Sequence, residues 1–435
     1  MRAAPFFPGQ EMTTIFAVSA DDASLHFDVS NLTPKQMEDD QSNSDMMGFL
    51  QTSLMGLGKP GDHVMFYDTF LEGPWLDRLN RFADFFSRLG FTPIPPENRH
   101  FHPQKGYYDS IAANLPEADS ITLYMTSGTN SVLHNDPAAY AVSQNVNSKV
   151  HFAQHAPGFG IPVPDTMVTT KGALGGDEVA AFMAKHDNKL MLKTLGLAGA
   201  RNVTTVDSLQ ECQDYVAEYE DDMEVILQQR LDLTRYTEMT ADLIVKPDSI
   251  ELSNVRQIMF AEGIWVGNLI GPDVTLTEEQ LEGLMQVGDY ARAQGYVEPE
   301  GVNCGVDYFI ADDGGDKPFI VTEINCRWTG GLYPAETIRR AGATEETCIS
   351  MVDLVSEEGF DRFVEFMDQH LYGESTAGFG LMPIGFSPVP QEIEGTNNYF
   401  MWIVIAGDFE AFQKARREQL GAGILDRADT ISMEL

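Results

Sequence analysis

The chain has 435 residues, 43% of them hydrophobic, which is enough for two or three domains with ample buried core and excludes general disorder. With 66 acidic and 28 basic residues the formal net charge is −38, which argues against a nucleic-acid partner and would repel an anionic membrane surface. The excess fits solubility or a saline habitat and implies nothing catalytic.

Residues 1–140 read as an α/β domain. The opening MRAAPFFPGQEMTTIFAV has only short apolar runs, broken by Pro5, Pro8 and Glu11, so no signal peptide is expected. The acidic, polar stretch 21–47 reads as a loop or insertion. HVMFYD at 63–68 predicts a strand, and Trp75, Leu79, Phe82, Phe86 and Leu89 recur at helical spacing before Gly90. A second strand, ITLYMT at 121–126, runs into SGTN, the kind of strand end that borders a ligand crevice.

Residues 141–235 change pattern. NVNSKVHFAQHA predicts a helix carrying Lys149, and GIPVPDT an extended entry to a strand. A helix over 177–186, a strand over 190–193 and a helix capped by Asp207, with Gln210 as its box partner, follow, and then the segment VILQQ at 225–229. In 236–342, Met239, Ala241, Leu243 and Val245 alternate with Glu238, Thr240 and Asp242, so one strand face is apolar and the other polar. The turn KPDS returns the chain as a hairpin. Thr277 and Gln280 cap a helix over 278–294. Residues 343–435 show helical patterns over 345–371 and 409–419, a Pro/Gly-rich segment over 377–390 and a strand over 399–407.

Cys212, Cys304, Cys326 and Cys348 lie far apart without a CxxC pair, so neither zinc nor a disulfide framework is expected and a reducing cytoplasm fits. No run approaches the roughly 18 apolar residues of a membrane span.

The densest polar signal is VTEINCRWTGG at 321–331. Strand periodicity sends Glu323, Asn325 and Arg327 to one face. Asp312, Asp313, Gly314, Gly315, Asp316 and Pro318 form a turn that folds GVDYFI back along this strand and sets Asp307 roughly opposite Glu323. Two facing carboxylates repel unless a cation lies between them, and the Asn325 oxygen completes an oxygen donor set for magnesium, with a nucleotide triphosphate as natural companion. The alternative is the solvated polar face of an edge strand. Upstream, Lys149, Lys193 and the loop of Gly196, Gly199 and Arg201 supply cations and close backbone approach for phosphates. Singly, each also reads as an ordinary surface lysine or turn glycine.

Taken in order, Lys149, GIPVPDT, Lys193 with its glycine-rich loop, VILQQRL, Glu238, Asp307 and the E-x-N-x-R element at 323–327 resemble the ATP-grasp superfamily, over about 140–342. The resemblance implies an ATP-grasp fold: an N-terminal α/β pre-ATP-grasp domain (1–140), a small α+β lobe (141–235), a large lobe (236–342), and a C-terminal region (343–435) completing the substrate site. It further implies an enzyme, a carbon–nitrogen ligase that forms ADP through an acyl phosphate.

By the resemblance, Lys149 and Lys193 would hold the α- and β-phosphates, and the 194–201 loop would close on the γ-phosphate. Gln228, Gln229 and Leu231 would flank adenine, where many members carry an acid and an aromatic instead. Glu238 would take the ribose hydroxyls, and Asp307, Glu323 and Asn325 would hold Mg2+, with Mn2+ able to substitute. Lys193 and Arg327 would be catalytic. Arg256, Arg327, Gly330 and Gly331 would meet the organic substrate, with Arg339 and Arg340 as further carboxylate clamps and Trp328 and Tyr333 nearby. The layout looks most like amino-acid and peptide ligases of the pheganomycin type, acting on a small carboxylate and an amine or peptide, with a homodimer as one expected assembly. Phosphotransfer to a small molecule and nucleotide binding without turnover remain alternatives.

Overall fold

Parallel pairing of four short strands builds the first sheet. The computed structural model describes residues 12–19, 47–194, 203–261, 264–311, 319–393 and 395–420. In it β1 (Thr14–Ala17), β2 (His63–Tyr67), β3 (Arg99–His102) and β4 (Ser120–Leu123) lie in the order β3-β2-β1-β4. The winding direction reverses between β1 and β4, the place where a parallel sheet opens a crevice at its strand ends. Tyr124 follows β4 directly and stands at that reversal. The amphipathic helix Trp75–Arg88 buries Leu79, Phe82 and Phe86 as its spacing predicts. The acidic stretch 21–47 lies, but for Met47, outside the described residues.

The second sheet is antiparallel: β5 (Thr166–Thr170), β6 (Leu190–Thr194), β7 (Val203–Val206) and β8 (Glu224–Gln229), in the order β5-β8-β6-β7. The helices Asp177–Lys185 and Leu209–Tyr215 pack Val179, Met183 and Cys212 onto Leu190, Leu192 and Leu227. The second helix starts one residue later than its sequence suggests. Ser208, not Asp207, is the cap: its hydroxyl accepts from Glu211 N at 3.2 Å, and the Glu211 carboxylate accepts from Asp207 N at 2.8 Å. A charged acceptor three residues after a serine outcompetes the Asp207–Gln210 pair.

The third sheet runs β13-β12-β9-β10-β11-β14-β17-β15, with β16 on β17. Its strands are β9 (Tyr236–Val245), β10 (Ile250–Ala261), β11 (Ile264–Ile270), β12 (Val302–Ala311), β13 (Phe319–Asn325), β14 (Cys348–Ser356), β15 (Phe379–Phe386), β16 (Gln391–Ile393) and β17 (Thr396–Gly407). The boundary expected at 342 therefore falls inside one continuous sheet. Cys348–Ser356, expected as helix, is a strand buried along its whole length between β11 and β17. A continuous apolar run suits a central strand as well as a buried helix, and only pairing decides. The Pro/Gly-rich segment 377–390 contains β15, buried at every position and paired with β17, so it is scaffold.

The first sheet shares a core with β14, β15 and β17. The helix Gly48–Leu57 bridges them, and Thr52 Oγ1 donates to Phe386 O at 3.2 Å. Arg78 clamps Asp361 of the helix Glu357–Gln369 through two bonds of 2.8 and 3.0 Å. Among the described residues, no helix is long and apolar enough to cross a membrane.

Candidate active site

Three neighbouring strands of the third sheet turn their polar residues to one face. β12 pairs with β13 so that Asp307 opposes Glu323 and Gly305 opposes Asn325, the register the intervening turn implies. β12 pairs on its other side with β9, placing Thr240 beside Asp307. Beyond Asp307 the β13 register slips by one residue, so Thr322 is the extra residue of a bulge, and its hydroxyl donates to Asp307 O at 3.0 Å. The bulge brings two consecutive residues to the site, since Thr322 lines the adjoining cavity while Glu323 faces Asp307. Gly305 is required here, because a Cβ would stand 2.1 Å from Thr329 Cγ2.

Two lysines meet this face from other elements. Lys149 opens the helix Lys149–His155; the expected single helix is broken at Ser148, whose side chain accepts from His151 N. Lys149 Nζ lies 3.0 Å from Glu323 Oε2, and both side chains are half-buried. Lys193, near the end of β6, is buried. Burial, reinforced by Lys149 and opposed by Glu323, brings its pKa down to about 8. Burial, with Asp307 and Glu323 beside it, pushes Glu238 up to about 8. Burial also raises Asp307, helped by Glu323, although Thr240, Arg256 and Arg327 oppose it. Burial disfavours charge on Glu323 too, yet Lys149, Lys193 and Arg327 outweigh it and hold this carboxyl below its ordinary range. Burial and the closeness of the three carboxyls thus keep Glu238 and Asp307 from ionising readily, although Lys149, Lys193 and Arg327 stand beside them.

Asn325 offsets part of the repulsion between Asp307 and Glu323. Its Nδ2 donates to Asp307 Oδ2 at 2.8 Å and to Glu323 Oε1 at 3.3 Å, so an amide N–H2 bridges the two carboxylates. A half-turn of the amide would present its oxygen to the same point, giving three oxygen donors, which suits a hard cation. Among the described residues no three His, Cys, Asp or Glu side chains could hold a metal by themselves. The set therefore fits an ion that keeps most positions for water and phosphate oxygens, as magnesium does.

Beside the acids, a small open recess is lined by Lys149, Phe152, Ala153, Val163, Thr166, Lys193, Ile226, Gln228 and Thr322. Its lining combines the apolar Phe152, Ala153, Val163 and Ile226 with the two lysines and the polar Thr166, Gln228 and Thr322. Gln228 is held by a bond of 3.0 Å from its Nε2 to Thr166 Oγ1. Gln229 and Leu231 do not line it; Gln229 N bonds Asp165 O at 2.8 Å as the chain leaves. Gly196, Gly199 and Arg201 lie outside the described residues.

Arg327 is fixed by residues that sequence reading missed. Its Nε donates to Tyr124 Oη at 3.3 Å and its Nη1 to Asn147 Oδ1 at 3.2 Å. Tyr124 lies within the segment 121–126 singled out as a crevice border, and Asn147 ends the helix Pro137–Asn147, but neither carries a local signal of contact with Arg327.

The expected substrate clamps are engaged elsewhere. Arg256 is 1% exposed and ion-paired at 2.5 Å with Asp242, itself 0% exposed. Asp242 also accepts from Asn303 Nδ2 and Thr329 Oγ1, each at 2.9 Å. Arg256 lies directly under Gly331, where a Cβ would stand 2.2 Å from its Nε, while Gly330 has open space around its Cα. It supports the 329–331 loop from below. Arg339 and Arg340 both bind the buried Glu336 on their own helix, at 2.6 and 2.7 Å. Trp328 and Tyr333 are core residues, their rings 6.0 Å apart.

No family model matches this chain, and no curated protein matches it by sequence. Solved structures match its fold along nearly its full length. An N5-carboxyaminoimidazole synthetase from Staphylococcus aureus superposes with a TM-score of 0.56 at 11% identity, covering 94% of this chain and 97% of that one. A biotin carboxylase from Campylobacter jejuni gives 0.57 at 11%, covering 97% and 94%. A phosphoribosylamine–glycine ligase from Thermotoga maritima gives 0.53 at 13%, covering 95% and 97%. The fold is thus the ATP-grasp fold expected from the sequence, with a parallel-sheet domain ahead of two antiparallel sheets.

Proposed function

We propose that the chain is an ATP-dependent ligase that activates a carboxylate as an acyl phosphate and transfers it to an amine, releasing ADP and phosphate. The observation that carries this reading is the convergence of Lys149, Lys193, Glu238, Asp307, Glu323, Asn325 and Arg327 beside one cavity, drawn from the second and third sheets and the helix before β5. It is supported by the company of the fold: structures that share it hold ADP in the Staphylococcus aureus synthetase and ATP in one from Aspergillus clavatus.

In this reading the cavity takes adenine against Phe152, Val163 and Ile226, with Gln228 at its edge and Glu238 on the ribose. Lys149 and Lys193 bind phosphate oxygens. Glu323 is already ionised and Asp307 ionises when a cation arrives, so together with Asn325 they hold Mg2+. The ion, when bound, offsets charge on the β- and γ-phosphates. A substrate carboxylate oxygen then attacks the γ-phosphorus, and the bond to the β-phosphate oxygen breaks with its electron pair leaving on ADP. Arg327 meets the transferred group. The amine next attacks the acyl carbon, the carbon–oxygen bond to phosphate breaks, and the amine proton is released. Water must be excluded meanwhile, because an acyl phosphate hydrolyses.

The amino-acid and peptide ligases of pheganomycin type are the substrate class that fits the sequence layout, in a cytoplasmic enzyme, with a homodimer as the assembly to test. Incubation with magnesium, ATP and pooled amino acids and small carboxylates, followed by ADP assay and product mass, tests the reading. A condensation product formed with loss of water supports it. A phosphorylated product without condensation makes the protein a phosphotransferase instead.

A further inference from the structure

Arg327 is held at both ends and from two directions. Its carbonyl accepts from Asn303 Nδ2 at 2.8 Å, which pins the backbone from β12. Its Nε donates to the Tyr124 hydroxyl at 3.3 Å, and the guanidinium lies 5.6 Å from the Tyr124 ring centroid, a cation–π distance. Its Nη1 donates to Asn147 Oδ1 at 3.2 Å. Asn147 is oriented in turn, since its Nδ2 donates to Ser143 O at 3.0 Å and to Cys326 O at 3.2 Å, fixing which way the amide points. Among the described residues nothing accepts from Nη2.

A guanidinium has five N–H donors in a rigid plane, so occupying Nε and Nη1 determines which edge remains. We propose that Tyr124 and Asn147 are positioning residues for Arg327, occupying Nε and Nη1 so that Nη2 is presented to an oxygen of the transferring phosphoryl group. The inference rests on the ligase reading above and extends the working site into the first 150 residues. It gives the parallel sheet a task in the chemistry: Tyr124 stands where the winding reverses between β1 and β4, and Trp328, next to Arg327, packs on Phe16 of β1 with ring centroids 5.9 Å apart. The pose of the arginine therefore depends on how the first sheet seats against the third.

The test uses the full chain and needs no organic substrate. Binding of Mg–ADP is compared with binding of Mg–ADP plus aluminium fluoride, which mimics a phosphoryl group in flight. The wild type should bind more tightly with fluoride, and Arg327→Ala should lose that gain. Tyr124→Phe and Asn147→Ala should each lose roughly tenfold of the gain, the scale of one hydrogen bond to a charged group, with Mg–ADP affinity unchanged. Added to Arg327→Ala, neither should cost anything more, because both act through the arginine. Tyr124→Phe keeps the ring and its packing, so a merely structural role would leave the fluoride gain intact. Full gain in both single variants, or losses that add to that of Arg327→Ala, overturns the positioning role while the ligase reading stands. Failure of the wild type to bind Mg–ADP overturns the nucleotide site and this proposal with it.

Discussion

Glu238 and Asp242 lie on the same face of β9, yet their surroundings treat charge in opposite ways. Around Asp242 the account closes: it is fully buried, and Arg256, Asn303 and Thr329 satisfy it. Around Glu238 it does not: Asp307 and Glu323 crowd the same space, and burial weakens the charge of the lysine that faces them. A buried pair with matched partners is scaffold, and removing one member strands the other. A cluster whose carboxyls are kept from ionising by burial and by one another is costly to the fold alone and is relieved by a ligand cation. The contrast separates the two clusters more sharply than burial or residue type does, because both set acids of the third sheet beside basic residues.

The largest effect should come from Glu323→Gln. ADP release should fall by more than about 100-fold, since even outer partners of metal ligands cost about 10–100-fold, while the circular dichroism spectrum stays unchanged. Arg256→Leu should do the reverse. It leaves Asp242 buried without its ion, and denaturant unfolding should report a loss of about 3–5 kcal/mol. If this variant were fully stable but catalytically dead, Arg256 would be a substrate clamp and the contrast would break.

The pH dependence sharpens the comparison further. Glu238 releases its proton near 4.5 when unfolded and at about 8 when folded, so its contribution to stability is present below 4.5 and lost as pH rises through 8. Asp307 acts in the same direction. Lys193 has its pKa lowered from 10.5 to about 8, so its penalty is relieved as pH climbs from 8 towards 10.5. Without ligand, the melting temperature should pass through a minimum near pH 8, and magnesium with nucleotide should fill that trough. The smallest effect is expected for Arg339→Ala, a half-exposed partner of Glu336 that leaves Arg340 in place. It should cost less than about 1 kcal/mol in thermal unfolding and leave turnover unchanged.

The hairpin is legible in the sequence because its turn residues lie midway between Asp307 and Glu323 and because Glu323, Asn325 and Arg327 alternate. The polar row of β9 is legible for the same reason, as period two reports a face directly. The bulge at Thr322 is not, since threonine fits a regular strand equally well. Tyr124 and Asn147 are invisible for a different reason: each belongs to an ordinary element and acquires meaning only when the fold brings Arg327 to it. Arg256 misleads because a basic residue near a polar face reads as available, whereas the buried Asp242 that claims it is evident only in the packed sheet. For Cys348–Ser356, hydrophobicity reports burial but not which neighbours satisfy the backbone.

The central claim is that Asp307, Glu323 and Asn325 complete a nucleotide site only with a divalent cation. Calorimetric titration of ATP into the protein, with magnesium and then with chelator, tests it most directly. Binding with magnesium, weakened at least about tenfold by the chelator and accompanied by proton release as Asp307 and Glu238 ionise, is the result expected. Equal affinity in both conditions, or no binding in either, would contradict it.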